Sequence, residues 1–205
     1  EILIGLVGSE MCIRDRLMTS CIDNPSKVSE YILNCRQMSI QILPPDINRS
    51  NGSFSVEDGS IRYGMAAVKG IGKPVMGAIV EERERGGAFS SLKDFCQRLS
   101  GKEVNKRTIE NFIKAGAFDS LGGTRKQFMM IYVQVMDTVN QEKKSSMTGQ
   151  MSLFDIMGEE DKKSFEIRMP DVGEYEKENK LAFEKEVLGV YISCLLYTSD
   201  AADDL

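Results

Sequence analysis

Apolar residues recur three and four positions apart in several segments, which is the spacing that places them on one face of an α-helix. The clearest runs are Val28, Tyr31, Ile32 and Cys35; Val75, Met76, Ile79 and Val80; Ile109, Phe112 and Ile113; and Phe128, Ile131, Tyr132, Val135 and Val139. Phe95 and Leu99 indicate a shorter helix, which Ser90 or Ser91 would cap. The pattern therefore predicts a mainly α fold.

Residues that start and stop helices bound these runs. Asn24 and Asn105 are typical N-caps, Thr124 would cap the longest helix, and Gly116 is the expected C-terminal cap of the helix before it. Strand signals are short: residues 40–43 end at two prolines, and the runs 54–56 and 61–63 predict a small β hairpin.

Residues 68–74, Val-Lys-Gly-Ile-Gly-Lys-Pro, form a glycine turn before the second helix. The glycines permit a tight turn, and Pro74 suits the first helical position. The helix start would present free N–H groups beside two lysines, and such an end attracts anions. The Gly-apolar-Gly pattern resembles the helix-hairpin-helix motif, which grips the DNA backbone without reading its sequence. An ordinary glycine turn between core helices is the alternative. The candidate DNA contacts are Lys69, Gly70, Ile71, Gly72 and Lys73.

A second helix-turn-helix pair follows, and basic residues lie at its ends. The candidate contacts in this pair are Lys106, Arg107, Gly116, Arg125 and Lys126. Two hairpins in tandem, both basic at their turns, favour DNA binding more than either alone. The alternative is that these charges form a solvated face.

Composition narrows the class of protein. The chain has 205 residues, 41% hydrophobic and 28% charged, which fits one or two soluble domains. Residues 61–127 carry 13 Lys and Arg against 7 Asp and Glu, whereas residues 141–186 carry 8 against 12, so only the first part is expected to touch a polyanion. There is no histidine, and the five cysteines form no CxxC pair. Zinc sites and Cys-His or Ser-His catalysis are therefore not expected, and reduced thiols indicate a cytoplasmic protein.

An apolar island interrupts a polar stretch, residues 141–165, which is predicted to be a flexible linker. The island consists of Gln150, Met151, Ser152, Leu153 and Phe154. A Leu-Phe pair in a solvated linker has no local core, so the pocket of a partner protein is a natural destination. The alternative is that the pair docks back on its own domain.

The two ends share an origin that is not biological. Residues 194–199, Cys-Leu-Leu-Tyr-Thr-Ser, can be encoded by TGTCTCTTATACACATCT. The reverse complement of this string, read from its third base, encodes residues 11–15, Met-Cys-Ile-Arg-Asp. We therefore expect residues 1–16 and 194–205 to be a translated transposon-type sequencing adapter.

Several motifs, in order, resemble the alpha (catalytic) subunit of bacterial DNA polymerase III. They are the runs 42–50 (Ile-Leu-Pro-Pro-Asp-Ile-Asn-Arg-Ser), 61–64 (Ile-Arg-Tyr-Gly), 68–72 (Val-Lys-Gly-Ile-Gly), 87–89 (Gly-Ala-Phe), 105–107 (Asn-Lys-Arg) and 115–122 (Ala-Gly-Ala-Phe-Asp-Ser-Leu-Gly), besides Tyr31-Ile32 and Cys35-Arg36. The resemblance covers about residues 17–193.

The resemblance implies a domain plan. Residues 17–60 would be the end of the fingers, 61–140 a tandem helix-hairpin-helix domain that holds duplex DNA, and 141–165 a linker. The linker peptide, residues 150–154, matches the form Gln-x-Ser/Asp-Leu-Phe, which binds the sliding clamp (beta subunit) in that family. Residues 166–193 would form a terminal helix and the lead-in to an OB-fold domain.

The resemblance also implies what this chain does not carry. The metal-binding aspartates and their magnesium belong to a palm domain, so we expect no catalytic residue, metal or cofactor here and no polymerase activity from this chain alone. Asp46 and Asp119 are interpreted as structural caps. The expected partners are duplex DNA, the clamp and other polymerase III holoenzyme subunits, and no membrane. A free-standing helix-hairpin-helix DNA-binding or repair factor, or an error-prone paralogue of the polymerase, is the alternative.

If the two ends are translated adapter, removing them should leave the fold intact. We expect a chain trimmed to residues 17–193 to have a free energy of unfolding within about 1 kcal/mol of the full chain, as for changes away from structural features. Urea denaturation of both chains measures the difference. A larger loss of stability would mean that the trimmed residues are part of the protein.

Overall fold

The computed structural model describes residues 2–101, 104–148 and 168–193, and it describes side chains for residues 11–101, 104–144 and 168–193. The described helices are α1 (Ile2–Ser20), α2 (Pro25–Gln37), α3 (Lys73–Gly86), α4 (Leu92–Arg98), α5 (Lys106–Ala115), α6 (Arg125–Thr148) and α7 (Lys177–Leu188). The strands are β1 (Ile42–Leu43), β2 (Ser55–Glu57) and β3 (Ser60–Arg62), and short 3-10 turns span Met65–Ala67 and Asp119–Leu121. The prediction of a mainly α fold with a small β hairpin is confirmed.

The predicted caps bound the helices. The side-chain oxygens of Asn24, Ser91 and Asn105 each accept a hydrogen bond from the backbone N–H three residues later, at the starts of α2, α4 and α5. Gly116 ends α5 in the left-handed conformation, with φ of 80°. Pro74 is the second residue of α3 rather than the first, because the helix begins at Lys73.

The sheet joins the predicted hairpin to a third strand. Strands β2 and β3 are antiparallel and pair Val56 with Ile61 across a two-residue turn. Both turn residues have positive φ, 48° at Asp58 and 75° at Gly59, as tight hairpins that match strand twist require. Strand β1 lies on the other edge of β3 and runs parallel to it, with Ile42 opposite Ile61.

Aromatic rings form the centre of the helical core. Phe95 of α4 packs edge-on against Phe89 and Phe118, with ring centroids 5.1 Å apart in both pairs. Phe118 contacts Phe128 of α6 at 6.2 Å, and Phe112 of α5 lies 6.4 Å from Phe95. All five rings are buried, so this cluster holds α4, α5 and α6 together.

The loop before the sheet hairpin fixes the helices to the sheet. Asp46 caps this loop, since its carboxylate accepts hydrogen bonds from the N–H groups of Asn48 and Arg49. The Asn48 amide donates to the Phe89 carbonyl and accepts from the Phe89 N–H, at 2.9 and 2.7 Å. Arg83 of α3 donates to the Ser50 carbonyl at 2.8 Å. The interpretation of Asp46 as a structural cap is confirmed.

Helix α6 continues to Thr148, so it extends past residue 140 into the segment that was predicted to be flexible. The added turns contain Gln, Glu and Lys, which favour helix. Their side chains also reach the neighbouring helix: Glu142 pairs with Lys93 at 3.3 Å, and Lys143 donates to the Ser100 carbonyl at 2.9 Å. Tertiary contacts therefore extend the helix where polarity alone indicated a linker.

The segment after α7 packs on the hairpin domain. Val190 and Ile192 are buried, as is Leu188 at the end of α7. The Tyr63 hydroxyl donates to the Leu188 carbonyl at 3.1 Å, and Arg36 of α2 donates to the Tyr191 carbonyl. Residues 188–192 are thus part of the described core, and their role as the lead-in to an OB-fold domain stays a prediction.

Helix α1 includes the first predicted adapter segment and packs beside α2. Met18 is fully buried and Met11 is 7% exposed, while Arg14 donates to the sulfur of Met38 at 3.2 Å. The adapter origin of residues 1–16 stays a prediction. Burial of Met11, which lies in that segment, would count against it if trimming the segment destabilised the fold. Each helix of the described residues is too short or too polar to be a candidate membrane span.

Candidate nucleic-acid interface

The first hairpin presents an open turn at the start of α3. Gly70 has φ of 78°, which only glycine adopts without strain. Lys69, Gly70, Gly72 and Lys73 are exposed, whereas Ile71 is buried and anchors the turn to the core. No side chain of the described residues caps the start of α3. The turn therefore offers glycine backbone and two ammonium groups to solvent beside an uncapped helix start.

Two hydrogen bonds hold this turn in place. The Asn111 amide, on α5, donates to the Lys69 carbonyl at 2.8 Å, and the Lys69 N–H donates to the Val187 carbonyl at 2.8 Å. A Cβ on Gly70 would lie 3.0 Å from the Asn111 amide nitrogen. The turn is thus pre-organised by α5 and by the end of α7.

A cleft of about 470 Å³ lies between this turn and α5. Its lining residues include four cations and two carboxylates: Lys69, Lys106, Arg107, Lys114, Glu110 and Glu186. The structure therefore brings Lys69 of the first hairpin and Lys106 and Arg107 of the second pair to one site.

The cleft cations differ in how far they are neutralised. Arg107 is exposed and makes no ion pair with any described residue. Lys106 pairs with Asp137 at 2.7 Å, but both side chains are about half exposed, so this pair is weak. Lys114 lies 3.0 Å from Glu110 and 2.9 Å from Glu186. Burial lowers the pKa of Lys114, but hydrogen bonds to these carboxylates outweigh it and raise the pKa overall.

The turn of the second hairpin is closed. Gly116, Ala117 and Phe118 are buried, and a Cβ on Gly116 would meet the Arg125 guanidinium. The Ala117 carbonyl accepts from the Ile47 N–H at 2.8 Å. Gly116 therefore does not lie on an open surface as Gly70 does, and the structure shows it as a helix cap.

Arg125, which was predicted to contact DNA, is buried in a cluster of ion pairs and does not face solvent. Its side chain is 4% exposed, and it pairs with Asp119 at 2.9 Å and with the fully buried Glu184 at 3.1 Å. Burial lowers the pKa of Arg125, but the two carboxylates outweigh it and raise the pKa, so the guanidinium is charged. Asp119 is a partner of Arg125 rather than the cap that the sequence indicated.

A carboxylate from the C-terminal segment occupies the start of α6. Glu174 accepts hydrogen bonds from the N–H groups of Arg125 and Lys126, at 3.2 and 3.3 Å. Thr124 and Gln127 exchange hydrogen bonds between side chain and backbone, which caps the helix. The Lys126 side chain is half-buried and makes no ion pair with a described residue.

The described cysteines differ in burial: Cys12 is exposed and Cys21 is partly exposed. Cys35 and Cys96 are buried, and burial raises the pKa of Cys96 to about 12, so the reactive thiolate is scarce near neutral pH. Within the described ranges, no three His, Cys, Asp or Glu side chains are grouped so that they could hold a metal ion. The predicted clamp peptide, residues 150–154, lies outside the described residues.

Sequence reasoning missed four residues of this site: Asn111, Lys114, Glu174 and Glu186. Asn111 lies beside the apolar stripe of α5 and could have been identified from the sequence, because a buried polar side chain needs a hydrogen-bond partner. Glu174 and Glu186 had no local signal. Their targets lie 48 and 72 residues away along the chain.

Comparisons with known proteins agree with this geometry. A family model described as "Helix-hairpin-helix motif" matches residues 39–128. The chain is 38% identical over 177 residues to DNA polymerase III subunit alpha of Mycobacterium leprae, covering 86% of this chain and 15% of the relative. The same protein of Deinococcus radiodurans is 38% identical over 167 residues, and that of Vibrio cholerae is 37% identical over 178 residues. The resemblance predicted from the motifs is confirmed, and the chain spans about 15% of the length of the first of these relatives.

A buried role for Arg125 predicts a large effect on stability. We expect Arg125→Met to lower the free energy of unfolding by about 3–5 kcal/mol, because it leaves Glu184 buried without a counter-charge. Urea denaturation measures the loss. The control is the same change combined with Glu184→Gln, which removes the stranded charge, keeps an acceptor for the Ile192 N–H, and should recover part of the stability. If the Arg125→Met chain is as stable as the wild type but binds DNA more weakly, the result would contradict the buried role and support the prediction that Arg125 contacts DNA.

Proposed function

We propose that this chain is a segment of a DNA polymerase III alpha subunit, the protein that it resembles over 86% of its length, and that the segment holds duplex DNA and tethers the polymerase to its sliding clamp. The segment would serve DNA replication in the cytoplasm. Nucleotidyl transfer and its magnesium would belong to the palm of the parent polymerase, so we expect no polymerase activity from this chain alone.

The observation that carries the proposal is the open first hairpin beside the cationic cleft. Gly70 and Gly72 allow close approach of a phosphate to the backbone, and the uncapped start of α3 favours an anion. Lys69, Lys106 and Arg107 line the adjoining cleft. Contacts from cations and backbone N–H groups to phosphates carry no sequence information, so a surface that grips phosphates suits binding that does not depend on sequence.

Rigidity supports the same role. Asn111 and Val187 form hydrogen bonds with the backbone of Lys69, so the turn is already ordered in the free protein. DNA binding would therefore cost little conformational entropy at this turn. Ile71 is buried and fixes the turn from below. A phosphate would therefore meet a preformed donor group, and the affinity would come from charge and counterion release.

The tether rests on the peptide at residues 150–154. It begins two residues after the end of α6. Gln150 offers an amide donor and an acceptor, and Leu153 and Phe154 can contribute roughly 1.5–3 kcal/mol each if a pocket buries them. The isolated peptide would bind at a micromolar level. Simultaneous binding of DNA would then raise its effective concentration at a clamp on the same duplex.

Duplex binding by this surface predicts a strong dependence on salt. With ~4 phosphate contacts, the slope of log affinity against log salt should be near ~-3 to -4, whatever the sequence of the duplex. Lys69→Ala and Arg107→Ala should each make the slope shallower by about 1. Gly70→Ala should also weaken binding by distorting the turn. Fluorescence anisotropy with two unrelated labelled duplexes measures these effects.

The control for these variants is Lys27→Ala, because Lys27 is an exposed cation on α2 that does not line the cleft. It should leave the slope unchanged. Binding that ignores salt, that follows one base sequence, or that responds equally to Lys27→Ala would contradict the proposal.

Clamp tethering predicts that two side chains carry the contact. Replacing Leu153 and Phe154 together by alanine should abolish binding to a purified bacterial clamp in calorimetric titration, and should leave duplex affinity and melting temperature nearly unchanged. The matched control replaces Ile156 and Met157, two apolar residues just outside the peptide. Equal clamp binding by both double variants would remove the peptide from the interface, and a large loss of stability would assign Leu153 and Phe154 to the core.

A further inference from the structure

The C-terminal segment delivers carboxylates to the groups that would bind anions on the second hairpin. Glu174 accepts from the first two N–H groups of α6, at 3.2 and 3.3 Å. Glu186, on α7, accepts two hydrogen bonds from the Lys114 ammonium, at 2.9 and 3.1 Å. A helix start and a lysine are the two groups with which hairpins of this kind hold a phosphate.

The Glu174 contact has the form of a bound anion. Each of its two carboxylate oxygens accepts from one backbone N–H of the α6 start, as two phosphate oxygens would. The capping box of Thr124 and Gln127 satisfies the N–H groups of those two residues only, so the N–H groups of Arg125 and Lys126 are left for an external acceptor, which here is Glu174. The contact joins residues that lie 48 and 49 positions apart.

The Glu186 contact is an independent observation in the cationic cleft. Lys114 is 13% exposed and is held between Glu110 and Glu186 in the cleft that Lys69 and Arg107 also line. Glu186 itself is 53% exposed, so this carboxylate can be displaced toward solvent. Lys114 is therefore a cation within the proposed DNA surface that the chain itself neutralises.

We propose that Glu174 and Glu186 stand where DNA phosphates would otherwise bind, so that the chain's own carboxylates close the second hairpin and the duplex is held at the first hairpin and the cleft. This inference rests on the proposed duplex binding. Burial agrees with it, since Gly70 and Gly72 are exposed while Gly116 is buried. Movement of the segment that carries Glu174 and Glu186 would open further phosphate contacts.

The test compares two double variants with the same change in net charge. One is Glu174→Gln with Glu186→Gln, which keeps acceptor oxygens at both places. The control is Glu176→Gln with Glu178→Gln, because these exposed glutamates lie in the same segment and their carboxylates have no hydrogen bond or ion pair among the described residues. The probe is one labelled duplex, titrated at several salt concentrations.

We expect the first double variant to bind the duplex about tenfold more tightly than the control, with a slope steeper by about 1 to 2, since each added phosphate contact contributes roughly 0.9. Equal affinity and slope in the two double variants would overturn the proposal, because the gain would then come from net charge alone. If the first double variant does not fold, Glu186→Gln against Glu178→Gln decides, with an expected difference in slope of about 0.9.

The outcomes separate this proposal from the proposed function. If the wild-type chain binds duplex and Lys69→Ala weakens it, but the two double variants behave alike, only the carboxylate proposal fails. If the wild-type chain binds weakly and the Glu174/Glu186 variant binds strongly, the carboxylate proposal is supported. If no variant binds duplex, the proposed function fails and this inference fails with it.

Discussion

The buried Arg125 guanidinium is the interaction on which the arrangement of the second hairpin depends. It pairs with Asp119 in the turn and with Glu184 on α7, and it donates to the Lys114 carbonyl at the end of α5. Glu184 in turn accepts from the Ile192 and Ser193 N–H groups. One charge thus joins the ends of two helices to the segment that follows α7. A buried ion pair contributes little net stability over apolar packing, whereas removing one partner leaves an uncompensated charge, so this cluster penalises any arrangement that separates its members.

Because of this arrangement, the anion-binding groups of the two hairpins are neutralised to different extents. Packing of α7 against α5 brings Glu186 to Lys114, and the segment before α7 brings Glu174 to the start of α6. Among the described residues, Val187 and Asn111 fix the first hairpin by backbone and amide contacts, which do not cancel the charge of Lys69. Two motifs that look alike in sequence therefore differ in their capacity to hold an anion, and the difference comes from what the rest of the chain places against them.

Local features of the fold could be predicted from the sequence because their physics is local. An asparagine or serine oxygen caps a helix three residues away, at Asn24, Ser91 and Asn105. Asp58 and Gly59 determine the hairpin turn, and Gly116 ends α5. The open turn at Gly70 was likewise readable, since positive φ next to a helix start needs glycine.

What the sequence by itself determined is therefore helices α2 to α5, the start of α6, the caps at Asn24, Ser91, Asn105 and Gly116, and the turn of the first hairpin. The tertiary structure alone decided that Arg125 is a core ion pair, that α6 continues to Thr148, and that Lys114 and the α6 start are neutralised. Charge type does not reveal burial, because an arginine beside a turn looks the same whether it faces solvent or a carboxylate 59 residues away. Such partners meet only when packing of apolar faces brings distant helices together. Contacts between residues so far apart in sequence cannot be predicted from any local pattern.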